Sequence, residues 1–236
     1  MNYAVLFAGG VGSRMTNSTI PKQFIEVQGK PILIHTVLAF EKSNDIDGIS
    51  VICLENWIPK LREYIDMFGI KKVKWITPGG KTGQQSIYNG LKAIYDDSLT
   101  PTEDIVLIND GVRPFVSDEL IKKCILTVKE KRSVVTICPV PETVVEVIDV
   151  DNGMITSIPD RRKWFLSKAP QGFYLNDIIE AHHRAIAEDR YDCTNSAELM
   201  HRYGHSLYTV MDDPNNIKIT TPIDIKLMNV VMEELE

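Results

Sequence analysis

Residues 4–24 read AVLFAGGVGSRMTNSTIPKQF. Ala4, Val5, Leu6 and Phe7 make an apolar run of strand length, which empties into a loop holding Gly9, Gly10 and Gly12. A glycine-rich turn after a buried strand leaves backbone N–H groups bare enough to close on oxygen atoms. The loop then carries two cations, Arg14 and Lys22. The residues between them are small or polar apart from Met15 and Ile20. Such a stretch buries itself poorly and suits a polyanion. Its spacing rejects two common phosphate turns. No G-x-x-x-x-G-K-S/T is present. The dinucleotide pattern G-x-G-x-x-G fails at Met15, where the glycine that lets helix and strand pack closely is missing, and no helix starts directly after it.

Working outward, the chain alternates strand and helix patterns. Strands are expected at residues 3–7, 49–54, 73–76, 105–108 and 133–138. Helices are expected to open at Lys30-Pro31, with proline at an early helical position, and at 57–68, at 84–95, and after the cap Ser117 with its stripe Leu120, Ile121, Cys124, Ile125 and Val128. This rhythm predicts an α/β fold: an open, mostly parallel, twisted sheet with helices on both faces. Ligands on such sheets bind beyond the carboxyl ends of the strands. The loops Gly9–Lys22, Gly79–Ser86 and Asp110–Pro114 should therefore meet. At Pro139 the pattern changes. Residues 143–158, TVVEVIDVDNGMITSI, read as a hairpin turning at Asp-Asn-Gly. A lone hairpin is marginal in water, so it is expected to project as a β-arm at about 139–160 and to pack on another subunit. The remainder reads as a strand or loop at 164–168, helices at 175–188 and 196–203, a strand at 206–210, a short rigid strand at 216–220, and a last helix from Pro222. One domain over 1–236 with an arm is the simplest organisation.

Composition narrows the function classes. In 236 residues, 44% hydrophobic and 25% charged content is that of a globular protein. A net charge of −6 without a basic stripe argues against nucleic-acid binding. No segment approaches the roughly 18 apolar residues of a membrane span, and residues 1–30 show no signal peptide. The four cysteines form no C-x-x-C pair, which suggests reduced thiols in a cytoplasmic protein. Five histidines show no metal-binding spacing, and the adjacent His182 and His183 point about 100° apart on a helix.

The segments FAGGVGSRM (7–15) and IPKQF (20–24) carry a family signature, A-G-G-x-G-S/T-R-M followed by P-K-Q. Further matches are GGKTGQQSIYNGL (79–91), INDGVRPFV (108–116), PVPETVVEV (139–147), APQGF (169–173), CTNSAELM (193–200) and NIKITTPIDI (216–225). Through these the chain resembles the cytidylyltransferases that act on methylerythritol phosphate and on ribitol 5-phosphate, and the resemblance spans the whole chain. It implies attack by a substrate phosphate oxygen on the α-phosphorus of CTP with release of pyrophosphate. Attack of one anion on another is catalysed mainly by positioning and charge neutralisation. The resemblance assigns Arg14, Lys22 and Lys218 as catalytic cations. It gives the nucleotide to Ala8, Gly9, Gly10, Gly12, Gly80 and Ser86, and the acceptor to Asp110, Arg113, Thr143, Arg161 and Thr194. It further implies a homodimer in which Thr143 and Arg161 reach a neighbour's acceptor. Arg161 rather than Arg162 fits the register counted back from Pro170-Gln171. Mg²⁺ is the expected cofactor, and Asp110, ending a strand beside a glycine, is the best carboxylate to hold it.

Two departures stand out. Lys81 and Gly83 occupy positions where the family often has an acidic residue and an arginine, which bears on base specificity. For the acceptor, A-G-G in place of A-A-G, an Arg14-to-Lys22 interval one position longer than is common in the methylerythritol branch, and NIKITTP all lean toward ribitol 5-phosphate. Leu166–Gln171 and Thr194-Asn195-Ser196 depart from the polyol branch. Methylerythritol phosphate or another polyol or sugar phosphate are the alternatives. A nicotinamide-dependent reductase is disfavoured by Met15, and a silent partner protein by the presence of Arg14, Lys22 and Lys218.

Overall fold

The computed structural model describes residues 1–9, 20–151 and 153–234. In chain order the strands are β1 (Asn2–Ala8), β2 (Glu26–Val27), β3 (Lys30–Pro31), β4 (Gly48–Cys53), β5 (Val73–Pro78), β6 (Ile105–Asp110), β7 (Ser133–Pro139), β8 (Glu146–Val147), β9 (Ile155–Ser157), β10 (Phe165–Tyr174) and β11 (Thr209–Met211). The helices are α1 (Ile32–Glu41), α2 (Ile58–Met67), α3 (Gly83–Asp97), α4 (Asp118–Lys131), α5 (Leu175–Ala187), α6 (Ser196–Arg202) and α7 (Pro222–Glu234).

Among the described residues the main sheet has seven strands in the order β11-β7-β10-β6-β1-β4-β5. β1 pairs in parallel with β4 and β6, and β10 alone runs antiparallel, between β6 and β7. The period of two along a strand sends alternate side chains to opposite faces. Ala4, Leu6 and Ala8 therefore join a core with α1, α2 and α4. Tyr3 and Val5 join a second core with α3, α5 and α6. The expected sheet with helices on both faces is thus present. A third cluster of Val27, Ile32, Val112, Ile219 and Met228 seats α7 near the end of β6.

Several expectations need correction. Residues 165–174 form one ten-residue strand, where a strand or loop was expected over 164–168 alone. Proline is tolerated at irregularities of a ladder, and the register of β10 on β7 shifts between Ser167 and Gln171. There Thr136 Oγ1 donates to the Pro170 carbonyl at 2.6 Å. The segment 216–220 is not a strand. It is held by individual bonds rather than a ladder, among them Ile219 N donating to Val112 O at 2.9 Å, the Asn216 side chain and Thr220 N donating to Asp224. The arm hairpin forms a two-stranded sheet of β8 and β9 apart from the main one, extended by Ile148 N donating to Met154 O, and its apolar side chains Ile148, Met154 and Ile155 stay exposed. Pro31 caps α1 rather than opening it, and pairs with Glu26.

Candidate active site

Strand order reverses around β1, with β4 on one side and β6 on the other. Crevices form at such switch points, beyond the carboxyl ends of the strands. The loops after β5 and β6 and the described ends of the loop after β1 meet here. A Cβ added to Gly9 would lie 3.3 Å from the Gly79 Cα and 3.5 Å from Ser86 Oγ, so the backbones after β1 and β5 nearly touch. Gly111 N donates to Phe7 O at 3.0 Å, tying the turn after β6 to β1. Gln23 Nε2 donates to Ala8 O at 2.6 Å and fastens the turn containing Lys22 to the end of β1. Phe24 stacks on Trp57 behind it.

Asp110 is the hub. Its Oδ2 accepts from Arg113 Nε at 2.7 Å and its Oδ1 lies 2.6 Å from Lys218 Nζ. The Asp110 and Arg113 side chains are each 9% exposed, whereas Lys218 is 41% exposed. The one-turn spacing closes through Arg113 N donating to Asp110 O. Arg113 Nη1 also donates to Asn216 O at 3.0 Å, which draws the segment before Lys218 onto β6. Asn216 Nδ2 donates to Ala169 O and to Asp212 Oδ2. Lys168 Nζ, 3.6 Å from Asp212, donates to Asp213 O. Among the described residues these bonds use two of the five guanidinium N–H groups of Arg113.

These residues open on a cavity of about 200 Å³. Among the described residues its lining carries three cations, Arg113, Lys168 and Lys218, against one carboxylate, Asp110. A water-poor cleft with excess positive charge attracts anions. Thr194 lies on the same wall, where its N and Oγ1 donate to Glu198 at 2.8 and 2.7 Å. With Asn195 accepting from Glu198 N, this is a reciprocal cap that fixes the start of α6. Those bonds hold the Glu198 carboxyl below its usual range. His182 on α5 also lines the cavity, and burial, with His183 beside it, pushes its imidazole down to about 4, so it is neutral near pH 7.

Of the nucleotide candidates, Ser86 Oγ accepts from Gly80 N at 2.9 Å and donates to Thr82 O, so it shapes the loop after β5. Gly10, Gly12 and Arg14 lie outside the described residues. Thr143 and Arg161 are exposed on the arm and do not line this chain's cavity; Arg161 Nη1 donates to Pro141 O. Lys168, Asp212, His182 and Ser196 escaped the sequence reading. None of them was assigned a role from the sequence; β10, α5 and α6 bring Lys168, His182 and Ser196 to the cavity beside the end of β6, and Asp212, after β11, reaches the site only through Lys168 and Asn216. No group of three or more His, Cys, Asp or Glu converges on a metal position among the described residues. Asp110 nonetheless fits Mg²⁺, which is commonly bound through one or two carboxylates plus substrate phosphates; each of its oxygens keeps a lone pair beyond its bond to Arg113 or Lys218.

Residues 2–234 match the family described as 2-C-methyl-D-erythritol 4-phosphate cytidylyltransferase. The ribitol-5-phosphate cytidylyltransferase of Vibrio parahaemolyticus serotype O3:K6 is 44% identical over 236 residues, covering 100% of this chain and 98% of that protein. The 2-C-methyl-D-erythritol 4-phosphate cytidylyltransferase of Geotalea uraniireducens is 36% identical over 233 residues, covering 98% and 97%. The crystal structure of 4-diphosphocytidyl-2C-methyl-D-erythritol synthase from Anaerococcus prevotii superposes with a TM-score of 0.82 at 27% identity, covering 98% of this chain and 96% of that one.

Proposed function

Because the chain belongs to the 2-C-methyl-D-erythritol 4-phosphate cytidylyltransferase family, we propose that it transfers a cytidylyl group from CTP to ribitol 5-phosphate, giving CDP-ribitol and pyrophosphate. The acceptor is favoured by the 44% identity with the Vibrio protein named for ribitol 5-phosphate, against 36% with the Geotalea protein named for methylerythritol phosphate. The chemistry rests on one observation: Arg113 and Lys218 are both held on Asp110 at the shared end of β1 and β6.

An oxygen of the acceptor phosphate forms a bond to the α-phosphorus of CTP. The bond from that phosphorus to the oxygen bridging to the β-phosphate breaks, and pyrophosphate leaves with the electron pair. No proton transfer is required, so the enzyme's task is to bring two anions together and to hold the charge that develops. In this reading Lys218, Lys22 and Arg14 neutralise the triphosphate, and Arg113 turns its remaining N–H groups to the acceptor phosphate. Ala8, Gly9, Gly10, Gly12, Gly80 and Ser86 hold the cytidine side through backbone groups and one hydroxyl. Asp110 would hold Mg²⁺, which supplies charge neutralisation to the phosphates. Thr194 contacts the acceptor, and Thr143 and Arg161 reach the acceptor of a neighbouring protomer in a homodimer. We assign the reaction to the cytoplasm, where CTP is made and where four free, buried thiols stay reduced.

Purified protein with CTP, Mg²⁺ and ribitol 5-phosphate is expected to release pyrophosphate. Crossing ribitol 5-phosphate, methylerythritol 4-phosphate and other polyol phosphates with CTP, UTP and ATP identifies both substrates. A higher kcat/KM with methylerythritol 4-phosphate moves the acceptor to that branch, and silence with every polyol phosphate overturns the reading.

A further inference from the structure

The cavity has a second character away from its cations. Ile108 lines it two residues before Asp110 on the same strand, so it runs back along β6 by roughly 6–7 Å. There it reaches the core face covered by α3, α5 and α6, where Ile87 and Leu199 also line it. In this apolar floor lie two polar side chains from different elements, His182 of α5 and Ser196 at the start of α6. They are only 2% and 4% exposed, and neither His182 Nε2 nor Ser196 Oγ has a hydrogen-bond partner among the described residues. Buried polar atoms are normally paired. Of the buried side-chain atoms without a partner among the described residues, these two are the ones whose residues line the cavity, where an entering water or ligand hydroxyl would satisfy them after a small side-chain shift.

We propose that His182 and Ser196 read hydroxyl groups at the end of the acceptor remote from its phosphate. The proposal rests on the cytidylyltransferase reading above, which gives the acceptor phosphate to Arg113. A five-carbon polyol anchored there extends its far carbons toward the floor. The chemistry of the two groups suits hydroxyls and not charge. The imidazole is neutral near pH 7, held so by burial, and therefore presents one donor and one acceptor nitrogen. The serine hydroxyl both donates and accepts. The tilted contact of the His182 ring with Tyr88, centroids 5.4 Å apart, holds the imidazole in place. A site built to hydrogen-bond a hydroxyl rejects an analogue lacking it, because its own buried groups are then left bare.

The test compares ribitol 5-phosphate with 1-deoxyribitol 5-phosphate in the wild type, His182→Leu, His182→Gln and Ser196→Ala. The wild type is expected to prefer ribitol 5-phosphate by about tenfold or more in kcat/KM. His182→Leu and Ser196→Ala should lose most of that preference through acceptor KM, with CTP KM changed by less than about twofold. His182→Gln, which keeps a donor and an acceptor, should recover part of it. Thermal unfolding identifies variants that fail to fold, and Ser196→Ala, which removes one buried oxygen, keeps the test open if His182→Leu fails. Preference intact in a folded variant, or CTP KM rising in step with acceptor KM, overturns the role of these residues while leaving the enzymatic reading standing. A wild type inactive with every polyol phosphate overturns that reading itself.

Discussion

Asp110 and Lys218 share one 2.6 Å contact but stand in different surroundings, and that difference separates their effects. Lys218 is 41% exposed, so its removal leaves Asp110 still paired with Arg113 and no charge stranded. Asp110 is 9% exposed, and its loss strands the buried guanidinium of Arg113. Removing one partner of a buried pair costs about 3–5 kcal/mol, whereas losing a charge aimed at a transition state costs about 10²–10³ in rate. Lys218→Met is therefore expected to lower kcat by about two to three orders of magnitude with a nearly unchanged melting curve. Asp110→Asn should lower both kcat and stability. Pyrophosphate release and thermal unfolding, measured on both proteins, check the contrast. A Lys218→Met enzyme with near-normal kcat removes this lysine from the mechanism.

At the scale of elements, the site depends on how closely the turn after β6 approaches β1. A Cβ at Gly111 would lie 2.8 Å from the Ala8 Cβ and 3.0 Å from Leu33 Cδ1. Neither neighbour can yield easily, since Ala8 ends a central strand and Leu33 is fully buried in α1. Overpacking of this kind costs about 1–3 kcal/mol. Gly111→Ala should lower the melting temperature by several degrees, roughly 2–4 °C per kcal/mol in a chain of this size. It should also raise KM for CTP by spreading the loops after β1 and β6. A melting temperature within one degree of wild type, with unchanged KM, would show that this approach is not tight. β10 makes the complementary point. Running antiparallel between β6 and β7, it brings Lys168 and Ala169 to the cavity, and Gln171 Oε1 accepts from Ala197 N at 2.9 Å, docking the start of α6. Pro170 concealed this strand, because a missing N–H reads as an interruption until the ladder around it is seen.

At the scale of the whole molecule, the exposed apolar surface is concentrated on the arm. Ile148, Val150, Met154, Ile155 and Ile158 are between 52% and 89% exposed. The homodimer proposed above would bury them. Light scattering at micromolar concentration is expected to give twice the chain mass, and Ile148→Asp combined with Ile155→Asp should give monomers with much reduced turnover. A wild type that stays monomeric while fully active refutes both the dimer and the shared site. The alternation of apolar runs along the chain determined the sheet and its helices, because periods of 2 and 3.6 are local properties of the backbone. The glycines, the P-K-Q run and the D-G-V-R turn likewise singled out the end of β1 and β6 as the candidate site. Tertiary structure alone decided what surrounds that position. Arg113 meets the Asn216 carbonyl across 103 residues, Lys168 meets Asp212, and His182 and Ser196 arrive from separate helices at one cavity floor. Such meetings depend on which strand lies beside which and on how far each helix packs down, and a local pattern carries no record of either.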